Sequence, residues 1–166
     1  MRYQPASESV ALFFYHKLCH AAEYYFKLLQ SNNDFPVVPI FCLQKDSNTS
    51  NLLPGSVQLQ GTFKQGTNWH NQDWLLADWF RSPHSIIASR YFNIEWDCHV
   101  SVPLHDLYSD VLEADLVCHH EPDFEPSWAW TSQRDLLDPE LARHARAIAP
   151  MNGLMLSLKT LALWSR

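Results

Sequence analysis

The fold of this chain is decided by the stretch Arg90–Asp97, which reads Arg-Tyr-Phe-Asn-Ile-Glu-Trp-Asp. Residues 91–94 form a short apolar and aromatic run typical of a buried strand, and the run ends in two carboxylates, Glu95 and Asp97. Because residues i and i+2 of an extended chain point to the same face, we expect both acids to converge on one point. At the carboxyl end of a strand in an open parallel sheet, two such oxygen donors suit Mg²⁺ or Mn²⁺ bridging to nucleotide phosphates. Two ordinary acids on a solvated strand end are the alternative.

The segments before this strand predict a parallel sheet. Residues 9–15 form a near-continuous apolar run, residues 18–29 carry apolar side chains at helical spacing, and residues 36–42 read as a second strand. A strand, a helix and a strand in so short a span make a βαβ unit with a right-handed crossover. The predicted fold class is therefore α/β, a three-layer Rossmann-like and mostly parallel sheet in one domain of 166 residues.

The rest of the chain supplies further elements of the same kind. In order, apolar periodicity, caps and turn residues predict a long polar connection over 45–66, a helix over 74–80, a helix from Pro103 to Leu112, a strand over 114–118, a loop over 119–131, a helix over 138–148, a strand over 154–156 and a helix over 159–164. Asp78 is unusual in its apolar run, and we expect it to pair with Arg81 or Arg90.

Composition excludes several classes of protein. Hydrophobic residues make up 46% of the chain and charged residues 18%, which is a globular composition. The net charge of −6 and the lack of a basic tract argue against nucleic acid as the main partner. Four cysteines without a CxxC pair favour free thiols in a reducing compartment. No signal peptide pattern or membrane-length apolar run is present, so we expect a cytoplasmic protein without a membrane span.

Several motifs together resemble the nucleotide-sugar-dependent glycosyltransferases of the GT-A fold. The resemblance runs from about Val10 to Ser157 and is carried by these stretches: Asn71-Gln72-Asp73 with an aromatic run ending at Trp79-Phe80, the stretch 90–97, Tyr108-x-Asp110-Val111, Ala114-Asp115-Leu116-Val117 and Asn152-Gly153-Leu154-Met155-Leu156-Ser157. In that family a strand ends in Asp-x-Asp, sometimes Glu-x-Asp, which holds the metal and the diphosphate. The closing strand is similar to the one that lines the family's acceptor side.

The resemblance implies a function. Asp97 would bind Mn²⁺ or Mg²⁺ directly, and Glu95 would hold the ribose or a metal-bound water. The reaction would be transfer of a sugar from a nucleotide diphosphate sugar, most plausibly a UDP-sugar, to the hydroxyl of an unknown acceptor glycan, lipid or protein. Residues 1–166 would form a single GT-A-like nucleotide-sugar-binding domain. The family's C-terminal acceptor part, with its catalytic carboxylate, would be missing or shortened, so no catalytic residue is assigned. A dimer docked through residues 159–166 could complete the site.

Other residues are candidates for binding the nucleotide. Tyr15, His16 and Lys17 follow the first strand, where a base or ribose could dock, although a polar strand terminus is equally consistent with them. Asp73 could accept a hydrogen bond from the base or from Arg90, and both are assigned to the nucleotide site. A helix-capping role for Asp73 remains open.

Three further patterns carry weaker hypotheses. Trp128 and Trp130 could stack on a sugar ring or could belong to the core. Asp97 and His99 could share a Zn²⁺ ion if both lay on one strand face. The residues 119–121, His-His-Glu, read as a loop.

The sequence also excludes some enzyme classes and leaves two other functions open. Neither a Gly-rich phosphate loop nor a GxSxG nucleophile motif is present, which excludes the usual dehydrogenases, P-loop NTPases and α/β-hydrolases. A degenerate module that binds nucleotide sugars without turnover is one alternative. An interaction domain without a ligand is the other.

Overall fold

The computed structural model of the chain describes residues 6–43, 47–60, 72–117 and 153–165, with the backbone alone for 72–74 and 164. The strands in these ranges are β1 (Ser7–Tyr15), β2 (Val37–Leu43), β3 (Val57–Gln60), β4 (Ala88–Glu95), β5 (Leu116–Val117) and β6 (Leu154–Ser157). The helices are α1 (His20–Asn32), α2 (Gln72–Arg81), α3 (Leu104–Leu107) and α4 (Leu158–Trp164), with a 3₁₀ turn at Ser109–Val111.

The strands form one mixed six-stranded sheet in the order β3-β2-β1-β4-β6-β5. The pairs β1–β2, β2–β3 and β1–β4 are parallel, as the βαβ pattern predicts. Strand β6 runs antiparallel to both of its neighbours, so it is the one reversed strand among those described. The predicted α/β class is confirmed as a mixed sheet flanked by helices.

The sheet is covered on both faces because β1 at its centre is apolar on both sides. Val10, Leu12 and Phe14 belong to a core cluster shared with α2 and α4. The alternate residues Phe13 and Tyr15 belong to a second cluster, shared with α1 and α3. Every residue from position 9 to position 15 of β1 is buried, as expected for a strand enclosed on both faces.

Three expectations need correction. The polar connection predicted over 45–66 contains a strand, β3, in which Val57 and Leu59 are half-buried while Gln58 and Gln60 are exposed. This alternation is the period of a half-buried strand, but four residues make the signal short. Helix α3 ends at Leu107, and the chain continues as a 3₁₀ turn. Strand β5 spans two residues instead of five.

Two other predictions, the loop over 119–131 and the helix over 138–148, lie outside the described residues. Within the described ranges, no helix combines the length and the apolar character needed to cross a bilayer.

Candidate functional site

A crevice opens where the order of the sheet changes direction. From β1, the chain adds β2 and β3 on one side and β4 on the other. Open α/β sheets bind ligands outside the carboxyl ends of the strands at such a point. The carboxyl ends of β1, β2 and β4 enclose a cavity of about 260 Å³ there, and its lining consists of Phe14, Tyr15, His16, Cys42, Glu95, Trp96 and Asp97.

The two acids reach this cavity by a route that differs from the predicted one. Strand β4 ends at Glu95, and a tight turn follows in which the Cys98 N–H donates to the Glu95 carbonyl oxygen at 3.0 Å. The expected extended geometry from Glu95 to Asp97 is therefore wrong, because the chain bends at Trp96 and Asp97. Both residues nevertheless line the same cavity, with Glu95 half-buried and Asp97 exposed.

The same turn removes the geometric basis for a zinc pair. Because Asp97 and His99 lie beyond the end of β4, they do not share a strand face. The ring of His99 instead stacks on Tyr25, with ring centroids 5.3 Å apart and an interplanar angle of 19°.

Glu95 lies close to the Cys42 thiol on the α2 side of the sheet. Burial raises the pKa of Cys42 to about 12, and the negative charge of Glu95 adds to the shift. The thiol is therefore protonated at neutral pH. Glu95 and Asp97 are left as the anionic oxygen donors of the lining.

His16 faces Asp97 across the mouth of the cavity. Burial lowers the pKa of His16, the Asp97 carboxylate partly opposes this shift, and Lys17 contributes to the lowering. The imidazole is consequently neutral at pH 7. Its ring meets the Trp96 ring edge to face, with centroids 5.6 Å apart and an angle of 87°. The Lys17 side chain is exposed beside it.

Tyr15 is one of the lining residues, but its side chain is buried in the core and its hydroxyl is engaged elsewhere. The Tyr15 hydroxyl lies 2.6 Å from Ser56 Oγ and accepts the Leu53 N–H at 3.0 Å. It thereby holds the connection between β2 and β3, which turns at Gly55 with a φ of +75°, a conformation that favours glycine. Burial raises the pKa of Tyr15, so the hydroxyl is protonated.

Arg90 lies at the other end of the sheet, and its assignment to the nucleotide site is a correction. Glu95 lies five positions further along β4, a distance of roughly 17 Å. Its Nε donates to the Leu112 carbonyl oxygen, its Nη1 donates to the Ser89 carbonyl oxygen at 3.1 Å, and its Nη2 lies 3.6 Å from Glu113 Oε2. Arg90 therefore anchors the segment before β5.

Of the remaining predicted residues, most have side chains outside the described part of the chain, and Asp78 lies within it. Asp73 is the second residue of α2, but its side chain lies outside the described residues. So do Trp128, Trp130 and residues 119–121. The expected pairing of Asp78 is confirmed with Arg81, at 3.4 Å between Oδ1 and Nη1.

The two carboxylates of the crevice could bind a hard divalent ion that takes its other ligands from water and from the phosphates of a bound molecule. In the part of the chain that the structure describes, no three or more His, Cys, Asp and Glu side chains are grouped so as to hold an ion. Two carboxylates in one cavity suit Mg²⁺ or Mn²⁺, which keep waters and take phosphate oxygens as further ligands. A closed zinc site requires four protein ligands.

Sequence reasoning missed three residues of the lining, Phe14, Cys42 and Trp96, and Phe14 was predicted only as part of the buried run over 9–15. Trp96 was visible only as the residue between two candidate acids, and Cys42 only as the last apolar residue of a predicted strand. The position of Cys42 at the carboxyl end of β2 was a usable signal, because parallel strands end at the same edge of a sheet.

Comparisons with protein-family models, with curated proteins and with solved structures find no match to this chain.

Proposed function

We propose that this chain is a glycosyltransferase of GT-A type that moves a sugar from a nucleotide diphosphate sugar to an acceptor hydroxyl with the help of a divalent metal. The observation that carries the proposal is the pair Glu95 and Asp97, which line one cavity at the point where the sheet order reverses. Ligands bind at this position in open α/β sheets.

The two carboxylates have different environments, which suit different tasks. Asp97 is exposed at the mouth of the cavity, where it would hold Mn²⁺ or Mg²⁺ together with the ligand's phosphates. Glu95 is half-buried and would contact the ribose or a water of the ion. When bound, the metal would supply positive charge that stabilises the diphosphate leaving group.

The surrounding residues support a phosphorylated ligand with an uncharged end. Lys17 is exposed next to His16 and offers a positive charge near the mouth of the cavity. His16 is neutral at pH 7 because burial lowers its pKa. It can orient a hydroxyl or a base without attracting a second anion.

The proposal of GT-A type rests also on residues 152–157, which resemble the closing strand on the acceptor side of that family. Residues 154–157 form β6, which pairs with β4 so that Met155 lies beside Phe92. The Gly153 N–H donates to the Asn93 carbonyl oxygen at 2.8 Å, which brings the start of β6 two residues from Glu95. A motif expected on the acceptor side thus lies next to the acidic strand.

Calorimetry with UDP in the presence and absence of Mn²⁺ tests the metal requirement. We expect UDP to bind more tightly with Mn²⁺. We expect Asp97→Asn to reduce Mn²⁺-dependent affinity at least about tenfold, a loss seen even for residues one contact removed from a metal. Asp106→Asn, an exposed acid on α3, is the matched control and keeps wild-type affinity. An affinity for UDP that changes neither on addition of Mn²⁺ nor in the Asp97→Asn variant would overturn the proposal.

A second measurement separates an enzyme from a binding module. We expect slow release of UDP from UDP-sugars over hours in the presence of Mn²⁺, because water can replace the acceptor hydroxyl. Binding of UDP·Mn²⁺ without any hydrolysis or transfer would leave the non-catalytic module as the function.

A further inference from the structure

The crevice is lined by two chemical kinds of residue. Phe14, Tyr15, His16 and Trp96 are aromatic, and Glu95 and Asp97 are acidic. Trp96 stands between the two acids in sequence, yet an indole ring contributes nothing to binding a hard cation through oxygen. Ring faces and carboxylates attract different portions of a ligand.

The Trp96 ring is held in place before any ligand arrives. Its backbone N–H donates to the Phe14 carbonyl oxygen at 2.9 Å, which extends the pairing of β1 and β4 past the end of the strand. The turn that follows is closed by the Cys98 N–H at 3.0 Å. The Trp96 ring meets the His16 ring edge to face at 5.6 Å, and Trp96 packs against the core cluster that contains Tyr15 and Ile94. Trp96 is half-buried, so part of its surface is accessible.

The size of the cavity limits which part of a nucleotide sugar it can enclose. Its volume of about 260 Å³ is below the range of roughly 300–1,000 Å³ in which proteins enclose drug-sized ligands. A nucleoside is of suitable size, whereas a whole nucleotide sugar is too large. The remainder of the ligand would extend towards the exposed Asp97 and Lys17.

We propose that Trp96 holds the nucleobase of the nucleotide, and that the nucleoside end binds without metal whereas the diphosphate end requires it. The identity of the ligand rests on the proposed function. Every base has a face that stacks on an aromatic ring, and Trp96 is a fixed and accessible ring between the two acids. Trp96 is thus a nucleobase-binding residue of the site.

Because of the charges of the crevice, we expect the order of affinity for uridine and UDP to depend on the metal. Without metal, the negative diphosphate of UDP faces the carboxylates of Glu95 and Asp97 on a chain of net charge −6, and repulsion weakens its binding. Uridine is neutral and escapes this repulsion. Uridine should therefore bind more tightly than UDP in metal-free protein, and UDP should bind more tightly than uridine once Mn²⁺ is present.

Ligand-detected NMR and calorimetry with uridine and UDP test the inference on the intact protein. The affinities for uridine and UDP are compared first in wild-type protein treated with a chelator, where uridine should bind more tightly. We expect Trp96→Leu, which keeps an apolar side chain but removes the ring, to weaken uridine binding about tenfold, within the range found for loss of one stacked base. Trp96→Phe keeps a ring and should retain most of the affinity. Tyr24→Leu, which removes an aromatic ring that is 59% exposed on α1, should leave it unchanged.

Each outcome either supports or overturns the inference. Absence of uridine binding at millimolar concentration, or equal affinity in Trp96→Leu and wild type, overturns it, and the proposed function stands if UDP·Mn²⁺ still binds. Uridine binding through Trp96 without any gain from Mn²⁺ for UDP overturns the metal-dependent function and, with it, the metal requirement of the diphosphate end, and it leaves standing only the stacking of the base on Trp96. Thermal unfolding of each variant checks folding, and the wild-type order of affinities tests the inference even if Trp96→Leu does not fold.

Discussion

At the scale of single residues, the structure gives Tyr15 a task that its position alone does not indicate. A tyrosine at the carboxyl end of a central strand is well placed for a nucleoside, and Tyr15 is among the residues that line the crevice. Its hydroxyl, however, accepts the Leu53 N–H and contacts Ser56 Oγ. Because Ser56 Oγ donates to the Leu53 carbonyl oxygen at 2.6 Å, the tyrosine is the donor in the other contact. The hydroxyl is thus fully used by a connection about forty residues away along the chain.

Tyr15→Phe should therefore cost stability. It leaves the Leu53 N–H without its acceptor in a buried place, so we expect a loss of about 1–3 kcal/mol in the free energy of unfolding. Tyr24→Phe, on a side chain that is 59% exposed, is the matched control and should change stability by less than about 0.5 kcal/mol. Urea denaturation measures both. Equal effects of the two substitutions would contradict the role given to the Tyr15 hydroxyl.

At the scale of elements, a polar corner joins β5, β6 and α4. Ser157 ends β6 and caps α4 by accepting the Thr160 N–H at 3.2 Å. Asp115 accepts the Ser157 hydroxyl at 2.8 Å and the Lys159 ammonium at 2.9 Å. These bonds tie the segment before β5 to the strand and helix that follow much later in the chain. They explain how a strand of two residues, β5, keeps its place at the edge of the sheet.

The corner predicts a pH dependence. The hydrogen bond from Lys159, followed by that from Ser157, lowers the pKa of Asp115. The folded state thus binds this proton less readily than the unfolded state. The resulting stabilisation is complete above the ordinary carboxyl pKa of about 4 and is lost as the pH falls through the lowered value.

We expect Asp115→Asn to lower the midpoint of thermal unfolding at pH 7, and the difference from wild type to shrink as the pH drops below about 4. Lys159→Gln should remove most of the same pH dependence, because it deletes the largest cause of the shift. A difference between Asp115→Asn and wild type that is the same at pH 3 and pH 7 would contradict this account.

At the scale of the whole molecule, β1 joins the two core clusters. Alternate side chains of this strand enter the cluster under α2 and α4 and the cluster under α1 and α3. Neither cluster can lose its packing without exposing one face of the same strand. The described residues should therefore unfold in one cooperative transition.

Two substitutions on opposite faces test this coupling. Leu75 on α2 and Leu29 on α1 are 0% and 1% exposed, so Leu75→Ala and Leu29→Ala should each lower stability by about 2–5 kcal/mol. Both should shift the same single transition, seen at the same denaturant concentration by tryptophan fluorescence and by far-UV circular dichroism. Leu163→Ala, at 56% exposure, is the control and should change stability by less than about 0.5 kcal/mol. Separate transitions by the two probes would contradict a shared core.

The elements were predictable to the extent that their patterns are local. The apolar run of β1, the helical spacing of α1 and the turn at Gly153 identify their elements because each pattern depends on neighbours a few residues apart. Strand β3 was missed because an alternation of only four residues inside a polar stretch cannot be distinguished from a random pattern. Helix α3 was predicted too long because the apolar stripe continues through residues that form a 3₁₀ turn, whose side chains repeat at a similar spacing.

The amino-acid sequence by itself determined the α/β class, the buried central strand and the presence of two acids at its neighbour's end, since these follow from composition and short-range periodicity. Tertiary structure decided which side chains share the crevice. It brought Cys42 of β2 and His16, which follows β1, to Glu95 and Asp97, bent the chain at Trp96 with both acids in the lining of one cavity, and left Arg90 at the other end of the sheet. The physical reason is that such meetings depend on the order and direction of strands paired over long separations in sequence, which no local pattern specifies.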